Sequence, residues 1–82
     1  ELPSILISNN QLDKSLNIVE LIILSKLEKS KSEIRRLIKG NGVKINNQVV
    51  DNEKFIIKKE LFENKSVKLS LGKKRHVKVN LS

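Results

Sequence analysis

SKSEIRRLIKGNGVKIN, residues 30–46, starts with the period of a helix and finishes with the period of a strand. Ser30 followed by Glu33 forms a capping box, in which the serine oxygen accepts from the Glu33 amide and the glutamate reaches back to the cap. A helix therefore starts here. Ile34, Leu37 and Ile38 fall on one face, and at about 100° per residue Ser32, Arg35, Arg36 and Lys39 lie on the opposite one, with Lys31 at the margin. Gly40 stands where a helix commonly ends in a left-handed residue, and Gly42 adds a second permissive position. Val43, Lys44 and Ile45 then alternate as a strand, Asn46 and Asn47 supply a tight turn, and Gln48–Val50 returns as the partner strand.

On the N-terminal side, Leu2–Ile7 reads as a short strand ended by Asn9 and Asn10. Val19, Ile22 and Ile23 recur at three and four residues within Leu16–Leu24, giving a first helix capped by Asn17 or Ser15. That helix is apolar nearly all round, so it is expected to be buried. On the C-terminal side, Asp51–Glu53 turns the chain, and the mixed period of Phe55–Phe62 fits either a short strand or a turn of helix. Val67, Leu69 and Leu71 alternate with Lys68 and Ser70, residues 72–75 turn, and Val77, Val79 and Leu81 alternate back: a terminal hairpin with one apolar face.

With 82 residues there is room for one modest core. The absence of cysteine removes disulfides and thiolate metal sites and fits a reducing compartment. The longest apolar run, Leu21–Leu24, is far below the ~20 residues that span a bilayer, so a soluble chain without a membrane partner is expected. A chain that opens on Glu1 with no signal sequence points to a piece of a larger protein. Lysine, isoleucine and asparagine number 14, 10 and 9, and alanine is absent, as in an AT-rich genome. That bias should raise glutamate as well, yet seventeen bases face nine acids, a net charge of +8. Residues 26–44 carry net +5 and residues 65–82 net +6, while 1–25 and 45–64 are slightly acidic. Two basic blocks of this kind repel themselves unless a polyanion is the usual neighbour.

Catalysis requires a nucleophile with a base, paired carboxylates or a metal. One histidine, His76, and no cysteine leave little from which to build these, and the carboxylates are scattered through caps and turns. No catalytic residue, metal site or cofactor is assigned. His76 reads as a polar strand residue or an RNA contact, and residues 39–42, KGNG, lack the spacing of a phosphate-cradling nucleotide loop. Phe55 and Phe62 are the only aromatics and lie in apolar runs, which makes them core residues and removes base stacking as the main handle on a nucleic acid. Backbone phosphates and the shape of a folded RNA remain as the target.

A basic helix face is often no more than a solvated surface. Here Lys31–Arg35 and Arg35–Lys39 place like charges at i,i+4, each opposing the helix by a few tenths of a kcal/mol. Two of only three arginines stand together on that face, and the third, Arg75, follows Lys73 and Lys74 in the other block. Retained guanidinium groups in a lysine-rich chain favour a need for their bidentate fork. This function requires Arg35 and Arg36 to be exposed and not locked to acids of the same chain.

The stretches Leu16-Asn17-Ile18-Val19-Glu20-Leu21 and Ser30–Asn47 resemble the S4 RNA-binding domain, the core motif covering residues 16–50. The flanks, Leu2-Pro3-Ser4-Ile5 and Leu71-Gly72-Lys73-Lys74-Arg75-His76, look most like the C-terminal domain of bacterial tyrosyl-tRNA synthetases. The resemblance implies an α+β fold of the alpha-L RNA-binding type, two helices packed on a small, mostly antiparallel sheet, occupying residues 1–82 as one domain. It implies non-catalytic binding of structured RNA, with tRNA(Tyr) and the rest of a cytoplasmic synthetase as partners and tyrosine ligation performed elsewhere in the parent. The RNA contacts assigned are Lys31, Ser32, Arg35, Arg36, Lys39, Lys44, Lys73, Lys74 and Arg75. Ribosomal RNA, or an acidic region of the parent onto which the domain docks, are the alternatives. Ile34 stands where the family commonly has a small residue, implying a looser helix–helix contact, and Asn41 stands where glycine is common.

Overall fold

The computed structural model describes residues 3–81. A strand β1 (Ser4–Ile7) leads into a short helix α1 (Asn9–Asp13), then α2 (Ile18–Ser25) and α3 (Lys31–Lys39). Strands β2 (Val43–Ile45) and β3 (Gln48–Val49) follow, then a 3₁₀ turn at Lys59–Leu61 and the long strands β4 (Ser66–Leu71) and β5 (Arg75–Leu81). All five strands form one sheet in the order β1-β5-β4-β2-β3, antiparallel throughout except where β1 runs parallel to β5. This is the expected α+β arrangement with one more helix. Leu2, the first residue of the expected N-terminal strand, lies outside the described residues.

Alternation along the strands divides the sheet into two faces. Val43, Ile45, Val67, Leu69, Leu71, Val77, Val79 and Leu81 are buried and join Ile18, Leu21, Ile22, Ile34 and Ile38 of α2 and α3 in one core. Ile34, the residue standing where the family commonly has a small one, is fully buried in this core. Phe55 and Phe62 pack against the edge of this core. The Phe55–Ile57 segment runs back along the start of α2, with Ile18 N donating to Phe55 O at 2.9 Å and Ile57 N to Leu16 O at 2.7 Å.

Local chemistry explains most boundaries. Asn17 caps α2 in a complete capping box with Glu20. Asn9 and Asn10 do not simply end a strand: Ser8 and Gln11 form another capping box, and α1 begins at once. The capping box expected at Ser30 is half made. Ser30 Oγ accepts from the Glu33 amide at 3.3 Å, whereas the Ser30 amide donates to Glu28 Oε2 at 3.1 Å, leaving Glu33 free to face Arg36. The end of α3 also differs from expectation. Gly40 has an ordinary φ of −88°, and Asn41 takes the left-handed position at φ 60°, which asparagine tolerates better than most residues. Gly42 is favoured for space instead, because a Cβ there would crowd both the side chain and the carbonyl of Leu37 at 3.3 Å. Asn46 and Asn47, at φ 50° and 70°, make the two-residue left-handed turn that a twisted hairpin needs.

Candidate nucleic-acid interface

On α3, Lys31, Ser32, Arg35, Arg36 and Lys39 are all exposed, and Ile34 and Ile38 anchor the opposite side of the helix in the core. Arg35 Nε lies 3.5 Å from Glu53 Oε2 and Arg36 Nη1 lies 3.4 Å from Glu33 Oε1, with the arginine side chains 51% and 80% exposed. Acids of the same chain are therefore near both guanidinium groups. Each contact is single, long for a hydrogen bond and open to water, the class of ion pair that contributes ~0–1 kcal/mol. A guanidinium carries five N–H donors in a fixed fork, so most of that capacity stays available. A charge-assisted bond to a phosphate, at ~1.5–3 kcal/mol, outcompetes such a contact.

The second basic block comes to the same end of the molecule. The amide of Gly72 donates to Gly42 O at 2.7 Å. This bond joins the turn after α3 to the β4–β5 turn, so the exposed Lys73 and Lys74 stand beside the C-terminal end of α3. Gly72, at φ 64°, supplies the left-handed residue of that turn.

Two of the assigned contacts are placed differently. Lys44 alternates with the buried Val43 and Ile45, which turns it to the sheet face away from the helices instead of onto the α3 ridge. Arg75 reaches across to the α2–α3 loop, where its Nη1 donates to Leu27 O at 3.1 Å and to Glu28 Oε1 at 3.3 Å. It therefore fastens the terminal hairpin to the loop before α3. His76 bonds Ser70 Oγ at 3.0 Å and Lys73 O at 3.2 Å, which holds the Lys73 backbone in its turn.

Glu28, which the sequence did not single out, organises the start of α3. The Ser30 amide and then the Arg75 guanidinium hold its carboxyl below the ordinary glutamate value of 4.5. A carboxyl that is more acidic in the folded state stabilises the fold above its unfolded value, and that contribution fades as pH falls through the lower native one. Glu28→Gln is expected to melt at lower temperature than the parent at pH 7, with the gap narrowing progressively once the pH drops below about 4.5. Thermal melts across that range check this, and a gap independent of pH would assign Glu28 no ionic role.

Helix, glycine turn, hairpin and exposed basic helix face together define a class. The S4 domain model matches residues 21–61, and the chain belongs to the S4 domain family. It is similar to a tyrosine–tRNA ligase of Pelagibacter ubique, with 59% identity over 80 residues, covering 98% of this chain and 20% of the ligase. Tyrosine–tRNA ligases of Rickettsia africae and of a Wolbachia strain from Drosophila simulans match at 42% and 43% over 98% and 95% of the chain, and over 20% and 19% of their own lengths. The chain thus spans about a fifth of the length of the curated relatives it matches. Among the described residues no helix is long and apolar enough to cross a membrane.

Proposed function

We propose that this domain binds structured RNA without catalysing a reaction, as the RNA-gripping part of a cytoplasmic tyrosyl-tRNA synthetase whose tyrosine ligation takes place elsewhere in the parent. The RNA is tRNA(Tyr), including its long variable arm. Lys31, Ser32, Arg35, Arg36 and Lys39 contact phosphates along α3, and Lys73 and Lys74 extend the contact past its end. Lys44 contributes from the far face of the sheet, and Arg75 acts chiefly by holding the Lys73–Lys74 turn in place.

One observation carries this: the bond between Gly72 and Gly42 that brings two separate basic blocks together at one end of the fold. Like charge is gathered there at a cost to the free domain, which an anionic partner removes. Family membership and the similarity to tyrosine–tRNA ligases support the choice of RNA. The test is competition. Unlabelled tRNA(Tyr) transcript is expected to displace labelled tRNA(Tyr) from the domain at lower concentration than ribosomal RNA stem-loops of equal length do. Equal displacement would assign general binding of folded RNA, and absence of binding to any RNA near physiological salt would favour docking onto an acidic region of the parent.

A further inference from the structure

The sheet face turned away from the helices carries a second set of basic groups. Register places Lys68 directly opposite Lys78, and Lys44 beside Ser70, which in turn faces His76. Ser66 and Asn80 continue the row toward the far end. None of the five strands contains an acidic residue. Lys78 and Lys44 are exposed and Lys68 is partly so, and no salt bridge among the described residues involves any of the three.

Directly opposed like charges on neighbouring strands destabilise a sheet. Here the pair sits at the centre, between β4 and β5, the longest strands of the fold. Sequence economy does not explain it, since the same face accepts Ser70, Ser66 and Asn80 at equivalent positions. The face carries no Phe, Tyr or Trp on its strands, and the one imidazole there, His76, has both ring nitrogens engaged by Ser70 and Lys73. A sheet that grips single strands stacks bases on such groups, so this one is suited to phosphates and not to bases. It adjoins the Lys73–Lys74 turn through His76, whose ring bonds both Ser70 and the Lys73 carbonyl.

We infer that the outer sheet face, through Lys68, Lys78 and Lys44, is a second phosphate-contacting surface, so that the RNA held on α3 continues round the Lys73–Lys74 turn onto the back of the sheet. This rests on the RNA-binding function proposed above and extends it, beyond Lys44, to Lys68 and Lys78, which lie outside the S4-like core motif. The domain measures 30 × 29 × 21 Å, a span that a bend or a second arm of a folded RNA can bridge.

The experiment measures binding of a tRNA(Tyr) transcript against salt for four proteins: the parent chain, Lys68→Gln/Lys78→Gln, Lys58→Gln/Lys59→Gln and Arg35→Ala/Arg36→Ala. Lys58 and Lys59 are exposed at the start of the 3₁₀ turn, outside α3 and all five strands, and their replacement changes the net charge equally. Circular dichroism melts confirm folding. Lys68→Gln/Lys78→Gln is expected to bind at least about fivefold more weakly at low salt, with the slope of log K against log salt shallower by ~1.4–1.8, while melting at a temperature equal to or above the parent's because the cross-strand repulsion is gone. Lys58→Gln/Lys59→Gln is expected to stay near the parent. Equal weakening by both lysine pairs would reduce the effect to net charge and overturn the inference. Unchanged binding by Lys68→Gln/Lys78→Gln, with Arg35→Ala/Arg36→Ala weakened, would overturn it and leave the α3 function standing. No binding by the parent chain would overturn both.

Discussion

Replacing Arg35 and Arg36 together by alanine is expected to weaken binding of structured RNA by about 30-fold or more at low salt while leaving the fold intact. Two charge-assisted contacts to phosphate, even discounted for exposure, amount to ~2 kcal/mol or more, and 1.4 kcal/mol is a factor of ten. The folded state loses little in exchange. The pairs Arg35–Glu53 and Arg36–Glu33 are exposed, each contributes at most about 1 kcal/mol, and alanine relieves the repulsion of Arg35 with Lys31 and Lys39. The melting temperature should therefore stay within about 8 °C of the parent. Arg35→Lys/Arg36→Lys separates charge from geometry. It keeps both charges and removes the fork, so binding intermediate between parent and alanine variant is expected if bidentate phosphate contacts matter. Parent-like binding by the alanine variant would remove α3 from the interface.

Ile34→Ala is expected to have the largest effect on stability. Its side chain is fully buried at the junction of α2, α3 and the sheet, and emptying such a site costs ~2–5 kcal/mol through lost transfer energy and a residual cavity. A domain of this size has on the order of 4–12 kcal/mol in total. A loss of ~3 kcal/mol lowers the melting temperature by roughly 12–24 °C and puts the most marginal part of that range at risk of unfolding near 37 °C. Ile34→Val, which removes one methylene, should cost ~0.5–1.5 kcal/mol. Denaturant midpoints for the three proteins check the order. An alanine variant within about 1 kcal/mol of the parent would mean that the neighbouring helices close over a smaller residue with ease and leave no cavity.

These two predictions rely on parts of the fold that were unequally legible. The face of α3 was readable because Ile34, Leu37 and Ile38 recur at the helical period, and period alone assigns Arg35 and Arg36 to the other side. The Asn46–Asn47 turn, the Asn17 cap and the terminal hairpin were readable for the same local reasons. Helix α1 also had a local signal, Ser8 followed by Gln11, but Asn9 and Asn10 resemble the end of a strand equally well. The identity of the left-handed residue after α3 turned on one position: glycine is the default, and Asn41 took the role while Gly42 was kept for its contact with Leu37.

What local pattern could not convey was how distant segments meet. Parallel pairing of β1 with β5 joins the two ends of the chain and leaves no mark in either segment. Alternation showed that Lys44 points away from Val43 and Ile45, yet which side of the sheet the helices cover is decided by packing of the whole core. Glu28 captured the Ser30 amide because Arg75, 47 residues later, holds its carboxylate in place. That same contact gives Arg75 a structural task, fastening the terminal hairpin, beside the RNA contact expected of it.

The most direct measurement is the affinity of the domain for a tRNA(Tyr) transcript across a series of salt concentrations. If exposed arginine and lysine side chains on α3, the β4–β5 turn and the back of the sheet neutralise roughly five to seven phosphates, log K falls against log salt with a slope of about −3.5 to −6, at ~0.7–0.9 per contact. A slope near zero would mean that the basic surface meets no phosphate chain, and the function proposed for it would not hold.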